Sequence, residues 1–321
     1  MAAVAEAIGI VSGLLGIVQF GIDNFASEPG PGSSFKVAVA LDGANGGTDN
    51  AGGDLPDVRV WNEYTDFVGI TADPGTVGDG NIGTVDVEHE NQGVYTLFSA
   101  NNDAICIAWV TTTWSDERGG NEYAVSGDFG KQCGATWYYS GMFPSSDSDY
   151  QPACFWIDGN GDQPKTGFQV YWPSYSGTEF DESNTDPNTF CNGVDFGIRD
   201  EPDPNTVTFW TKKQRKSTQS MARSRRRAAW TSSALVLSDT ASHSAKELCQ
   251  SDTSMGPDFV HTTEGLFCDM GSKTLFDICR QDKKTNCFDL DSNSLLGNGT
   301  AIHRRGLESG YTSIRDWRSS A

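Results

Sequence analysis

Between Phe35 and Trp172 the chain alternates apolar and polar positions in short runs, the period-two signature of half-buried strands. Phe35 to Leu41, Val58 to Trp61, Thr84 to Glu88, Gly93 to Phe98, Ala104 to Trp114, Thr136 to Tyr139, Cys154 to Ile157 and Gly167 to Trp172 are rich in Val, Ile, Thr and aromatics. Turn formers such as Asp42-Gly43, Asp73-Pro74-Gly75 and Asp158-Gly159-Asn160-Gly161 separate them. Closely spaced strands without a helix between them predict a mainly β fold, an antiparallel β-sandwich, with Ile105, Ile107 and Trp109 on one core face. Asp181 to Asp203 loses the alternation and reads as a loop pinned by Cys191. Beyond Trp230, Ser244 to Glu247 forms a capping box that opens a short helix through Cys249, and Gly265 to Cys268 reads as a strand. No internal repeat is evident.

The segment Ala7 to Ile22 has a different character, with no charged side chain. On a helical wheel Gly9, Gly13 and Gly16 share one narrow sector, flanked by Ile8, Val11, Leu15, Val18, Ile22 and the aromatic Phe20. A glycine stripe suits a helix that another backbone or a lipid approaches closely, so self-association or membrane contact is expected of this segment. The run is shorter than the roughly 18 to 20 residues that cross a bilayer, and MAAVAEA lacks the basic start of a signal peptide.

Charge then divides the chain. Up to Asn205 there are 31 Asp and Glu against 6 Lys and Arg, a net of −25, whereas the remainder carries 12 against 17, a net of +5. The acidic part repels nucleic acid, which is not expected as a partner. The sign changes within Thr211 to Trp230, where eight basic residues stand among Ser, Thr and Ala without one acidic residue. Such a stretch reads as an exposed linker, and Arg225, Arg226 and Arg227 present the clustered guanidinium groups that dibasic-specific proteases bind. The expected organisation is a hydrophobic helix over 1–26, an acidic sandwich over 33–210, the linker over 211–230 and a small cysteine-containing tail over 231–321.

Eight cysteines fall four before the linker (Cys106, Cys133, Cys154, Cys191) and four after it (Cys249, Cys268, Cys279, Cys287), with no CxxC pair. Even numbers without zinc spacing favour disulfides and an oxidising compartment, with cytoplasmic residence as the alternative. Asn298-Gly299-Thr300 adds one N-glycosylation sequon.

The stretches NAGGDLPDVRVWNE, LFSANNDAICIAWVTTTW, FWIDGNGDQPKTGFQVYWP and FCDMGSKTLFDIC resemble an uncharacterised family of predicted proteins from filamentous ascomycete fungi. The resemblance covers nearly the whole chain and implies a fungal source and a two-domain unit, without a mechanism. Members of that family carry Lys-Arg in the linker where this chain has Arg-Arg-Arg.

Catalytic signatures are scarce: His89 is the single histidine of the large domain, flanked by Glu88 and Glu90 on an expected surface strand, and there is no GxSxG elbow or HExxH. Asp158, Asn160 and Asp162 alternate oxygen ligands on a glycine turn, the donor type calcium takes, although the EF-hand pattern fails at its sixth and twelfth positions. Asp289 to Asn293 repeats the spacing more weakly. Of the tryptophans, Trp114 ends a strand next to a polar loop and is the best exposed candidate for a sugar platform, and Trp137, with Tyr139 near it in sequence, is a further candidate.

These readings predict a non-enzymatic, secreted or surface-associated binding or assembly protein, a homo-oligomer or membrane binder through Gly9, Gly13, Gly16, Leu15 and Phe20. One rival is a lectin or glycoside hydrolase with a glycan as ligand. The other is a membrane-active toxin or virulence factor released by proteolysis.

Overall fold

The computed structural model describes residues 4–11, 14–26, 30–40, 51–114, 122–146, 149–176, 186–210, 233–282, 284–297, 300–301 and 310–318. The protein is mainly β, with several antiparallel sheets and four disulfides. It divides into two compact units, whose described residues are 4–210 and 233–318.

In the first unit the strands are β1 (Val4–Val11), β2 (Leu14–Gly21), β3 (Ser33–Val39), β4 (Gly53–Asp54), β5 (Asp57–Trp61), β6 (Phe67–Thr71), β7 (Thr76–Val77), β8 (Ile82–Val87), β9 (Tyr95–Ser99), β10 (Ile105–Trp114) and β11 (Glu122–Ser126). After the short helix α1 (Asp128–Gln132) come β12 (Trp137–Tyr139), β13 (Ala153–Ile157), β14 (Gly167–Tyr171) and β15 (Phe196–Arg199). One sheet has the order β12-β13-β10-β3-β8, with β11 also on β10; the other runs β15-β14-β9-β5-β6. Their inner faces meet through aromatic side chains. Phe35 on β3 meets Phe98 on β9 edge-on at 5.7 Å between ring centroids, and Phe155 on β13 meets Phe168 on β14 at 4.9 Å. This is the layered packing that the alternating pattern led us to expect. Strands β4, β6, β7, β11 and β15 were not foreseen, and β15 lies inside the stretch read as a loop.

Every residue of β10 is buried, so this strand is covered on both faces. On one side the cover is the chain entering β3. Phe20 packs edge-on against Trp109 at 6.0 Å, the Trp109 indole donates to Asn24 Oδ1 at 2.9 Å, and the Thr111 hydroxyl donates to the Asn24 carbonyl. Asn24 in turn donates to the Pro144 carbonyl at 2.6 Å.

The expected N-terminal helix is not found. Residues 4–11 and 14–21 form an antiparallel pair of strands, β1 on β2, in which Gly9 lies opposite Gly16 and Ile10 opposite Leu15. Ile and Val lose side-chain freedom in a helix and glycine costs about 1 kcal/mol there, so this composition favours an extended pairing. In a strand the side-chain period is two, and the helical sector of Gly9, Gly13 and Gly16 does not exist; Gly13 itself lies outside the described residues. Phe20, expected to serve contact with another molecule, is fully buried in its own unit.

The second unit holds β16 (Ala234–Ser238), α2 (Ala245–Gln250), β17 (Asp258–His261), β18 (Leu266–Asp269), β19 (Thr274–Ile278), β20 (Cys287–Asp289), β21 (Ser294–Gly297), β22 (Thr300–Ala301) and β23 (Ser313–Asp316). They make one mixed eight-stranded sheet of order β22-β21-β20-β19-β18-β17-β16-β23, with parallel pairs at β16/β17, β16/β23 and β19/β20. Helix α2 starts at the anticipated cap, where Ser244 Oγ accepts from the Glu247 amide at 3.1 Å.

Three hairpins, β17–β18, β18–β19 and β20–β21, share one loop. A side chain at the end of the first strand accepts from the backbone amide three residues on: His261 Nδ1 from Glu264 at 3.1 Å, Asp269 Oδ1 from Ser272 at 3.1 Å and Asp289 Oδ2 from Ser292 at 3.1 Å. The next residue is left-handed in each, Gly265 at φ 70°, Lys273 at 53° and Asn293 at 46°. The repeat, not evident in the sequence, is therefore one of backbone geometry, for which His and Asp serve as alternative acceptors.

Candidate functional site

The outer face of the five-stranded sheet carries an unexpected set of side chains. Alternation along β5 turns Val58 and Val60 into the core and leaves Asp57, Arg59 and Trp61 on the other side. Cross-strand pairing extends these into rungs: Trp61, Tyr95 and Tyr171 form an aromatic rung, and Arg59, Leu97 and Gln169 the next. Tyr95 and Tyr171 lie 4.5 Å apart, with burial raising the pKa of both phenols.

Residues 204–210 cross this face as a strap. Gln169, fully buried, holds the middle: its Nε2 donates to the Thr208 carbonyl at 2.6 Å and its Oε1 accepts from the Thr208 amide at 2.7 Å. The same amide group donates to the Val194 carbonyl at 2.9 Å and accepts from Arg199. A single side chain thus supplies the donor and acceptor that a neighbouring strand would offer. At one end Ser99 Oγ donates to the Pro204 carbonyl at 2.5 Å; at the other Phe209 packs edge-on against Tyr95 at 5.1 Å. The Trp210 indole donates to Asp195 Oδ1 at 3.0 Å. Burial pushes the Asp195 carboxyl up, opposed by hydrogen bonds from Ser174, Asn192 and Trp210.

Between the strap and the β5–β6 hairpin lies an open cleft of about 370 Å³, lined by Arg59, Trp61, Thr65, Phe67, Asn205, Thr206, Val207 and Phe209. Asn62 shapes the hairpin turn, its Oδ1 accepting from the amides of Tyr64 and Asp66, both at 2.9 Å. This turn holds Tyr64 out to solvent at 84% exposure and Phe67 at 53%, the latter edge-on to Trp61 at 5.3 Å. Thr65 sits at φ 73°, a left-handed conformation that costs a side-chain-bearing residue about 1 to 2 kcal/mol and is rare for a β-branched one. Arg59 is neutralised in place by Asp57 at 3.5 Å and Asp203 at 3.4 Å.

The residues expected from the sequence to bind ligands are elsewhere. Trp114 is only 4% exposed and packs against Tyr123, while Trp137 and Tyr139 are buried, with the Lys131 ammonium 4.1 Å from the Trp137 ring centroid. All three are core residues, because apolar strand positions here pack inward. Asp158 is fully buried and its carboxylate accepts from the amides of Asn160 at 3.2 Å, Gly161 at 2.9 Å and Gln163 at 2.9 Å, so it shapes its own turn. Asn160 Oδ1 accepts from the Asp162 amide at 3.0 Å. Among the described residues no group of three His, Cys, Asp or Glu side chains is arranged to hold a metal ion.

His89 lies just beyond β8 and not within a strand. Its Nδ1 donates to the Asn91 carbonyl at 2.5 Å and its Nε2 accepts from the Ser33 hydroxyl at 2.7 Å. Ser33 is buried, so this contact ties the start of β3 to the end of β8; burial lowers the His89 pKa. The cysteines pair as Cys106–Cys154, Cys133–Cys191, Cys249–Cys268 and Cys279–Cys287, two bridges on each side of the linker. Arg225, Arg226, Arg227 and Asn298 lie outside the described residues.

Sequence reasoning missed the cleft. The signal available was the dense run Trp61 to Phe67, with three aromatics around an Asx-type turn, and Val207-Thr208-Phe209-Trp210 immediately before the basic stretch. No protein-family model matches the chain, and neither a curated protein nor a solved structure shows significant similarity to it.

Proposed function

We propose that this is a non-enzymatic binding protein of an oxidising, extracellular-type compartment, which recognises its partner through the aromatic cleft of the acidic unit. Four disulfides support the compartment, and secretion from a fungal cell accords with them. The observation that carries the function is the display of Tyr64 and Phe67 on a turn pre-set by Asn62, beside a preformed cleft. A large aromatic surface fixed before binding lowers the ordering cost of association. The test is to immobilise the full chain and screen it against separate glycan and peptide panels, with Phe67→Ala alongside. Binding that falls at least tenfold in the variant is expected; ligands that bind both proteins equally well refute the reading.

The β1–β2 pair, uncharged from Ala7 onward and lying against β11 of its own unit, is the second part of this reading, as an element for assembly or lipid contact. Deleting residues 1–19, which leaves the buried Phe20 in place, is expected to lower the oligomeric mass in light scattering or to abolish liposome binding. An unchanged result in both assays removes the hairpin from the function.

A further inference from the structure

The chemistry of the cleft walls points to a class of ligand. We propose that its occupant is a neutral pyranose oligosaccharide, an inference that rests on the cleft being the recognition surface. A pyranose has an apolar C–H face and a rim of hydroxyls, and the cleft offers a counterpart to each. Phe67 and Phe209 supply ring surface, with the largely buried Trp61 edge-on to Phe67. The side chains of Thr65, Asn205 and Thr206 line the same space and make no hydrogen bond to another described residue, so two hydroxyls and one carboxamide are open to a ligand.

Charge decides between neutral and acidic sugars. The cationic group among the described lining residues, Arg59, already faces Asp57 and Asp203, and residues 1–205 carry a net of −25, so an anionic ligand meets repulsion and, among the described lining residues, no free countercharge. Backbone bonding removes one anchor for an extended peptide. A peptide adding as a strand needs unpaired main-chain groups, and Gln169 has taken both those of Thr208 in the strap.

Thr65 gives the proposal a sharp test. Its left-handed backbone is one that glycine adopts freely, so a fold selected for stability alone gains from Thr65→Gly. If the hydroxyl serves the ligand, the same change weakens binding. The experiment titrates the full chain, by tryptophan fluorescence and calorimetry, with gluco-, manno- and N-acetylglucosamine oligosaccharides, a uronic-acid series and a peptide library.

The expected result is saturable binding of at least one neutral series, weakened roughly tenfold by Phe67→Ala and by Thr65→Gly, with Thr65→Gly raising the thermal midpoint. Preference for the uronic acids over every neutral series overturns the proposal, as does neutral-sugar binding that both variants leave unchanged. Peptide binding that depends on Phe67, with no sugar bound, overturns the sugar assignment and leaves the cleft as the recognition surface. Absence of Phe67-dependent binding in all panels overturns both.

Discussion

Gln169 is the residue on which the strap depends, and Gln169→Leu tests that directly. The wild-type side chain makes four hydrogen bonds at a fully buried position, to Val194, twice to Thr208, and from Arg199. At about 1 kcal/mol net for each, their loss costs about 4 kcal/mol. Leucine is of similar size and recovers about 1 kcal/mol through apolar burial, leaving a deficit of about 3 kcal/mol. The loss is expected to be local first, because Thr208 is only partly buried and its backbone can turn to water. Amide exchange at Thr208 is therefore expected to accelerate on the order of 100-fold, a change of about 2.7 kcal/mol, with a smaller shift of the urea midpoint. Gln169→Glu sharpens the test, since a carboxylate cannot donate to the Val194 and Thr208 carbonyls; part of the loss should return when acid protonates it. Unchanged Thr208 protection and a deficit below about 1 kcal/mol in Gln169→Leu would refute this account of the strap.

Loop-closure entropy ranks the bridges. Replacing Cys106 and Cys154 by Ala opens a 48-residue separation and should cost roughly 4 kcal/mol, against roughly 2.5 kcal/mol for Cys279 and Cys287 with a separation of 8, measured by chemical denaturation. Asp195 has a raised carboxyl pKa, so its contribution to stability is full below the unfolded value and is lost as pH rises through the folded one. Asp195→Asn should remove that segment from the stability-versus-pH curve; coincident slopes for wild type and variant would count against it. Asp158→Ala, by orphaning three amides, should destabilise the acidic unit by about 3 kcal/mol whether calcium or a chelator is present, as read from thermal unfolding in each.

Local pattern was enough for much of the sheet framework. The alternation that placed strands at Val58 to Trp61 and Cys154 to Ile157 is a consequence of one buried face, and the Ser244 cap is a contact within one helical turn. Cysteine spacing implied that bridges form, and the even division about the linker anticipated pairs within each part. Their connectivity is a matter of distance in space. Cys106 and Cys154 come together because β10 lies beside β13.

What the residues could not reveal alone was which apolar surface is covered. Ala7 to Ile22 satisfies a helical wheel and a strand equally well, and only pairing of Gly9 with Gly16, with Phe20 seated on Trp109, chooses between them. Trp114 looks exposed beside a polar loop, yet it is buried, whereas Phe67, which the sequence pattern did not single out, faces solvent. Composition and periodicity determined the β-rich framework and the acidic charge, because both follow from neighbours along the chain. The cleft, the strap and the fate of each aromatic ring were decided by tertiary structure, because burial depends on residues such as Gln169 and Thr208 that meet only after the sheets have formed.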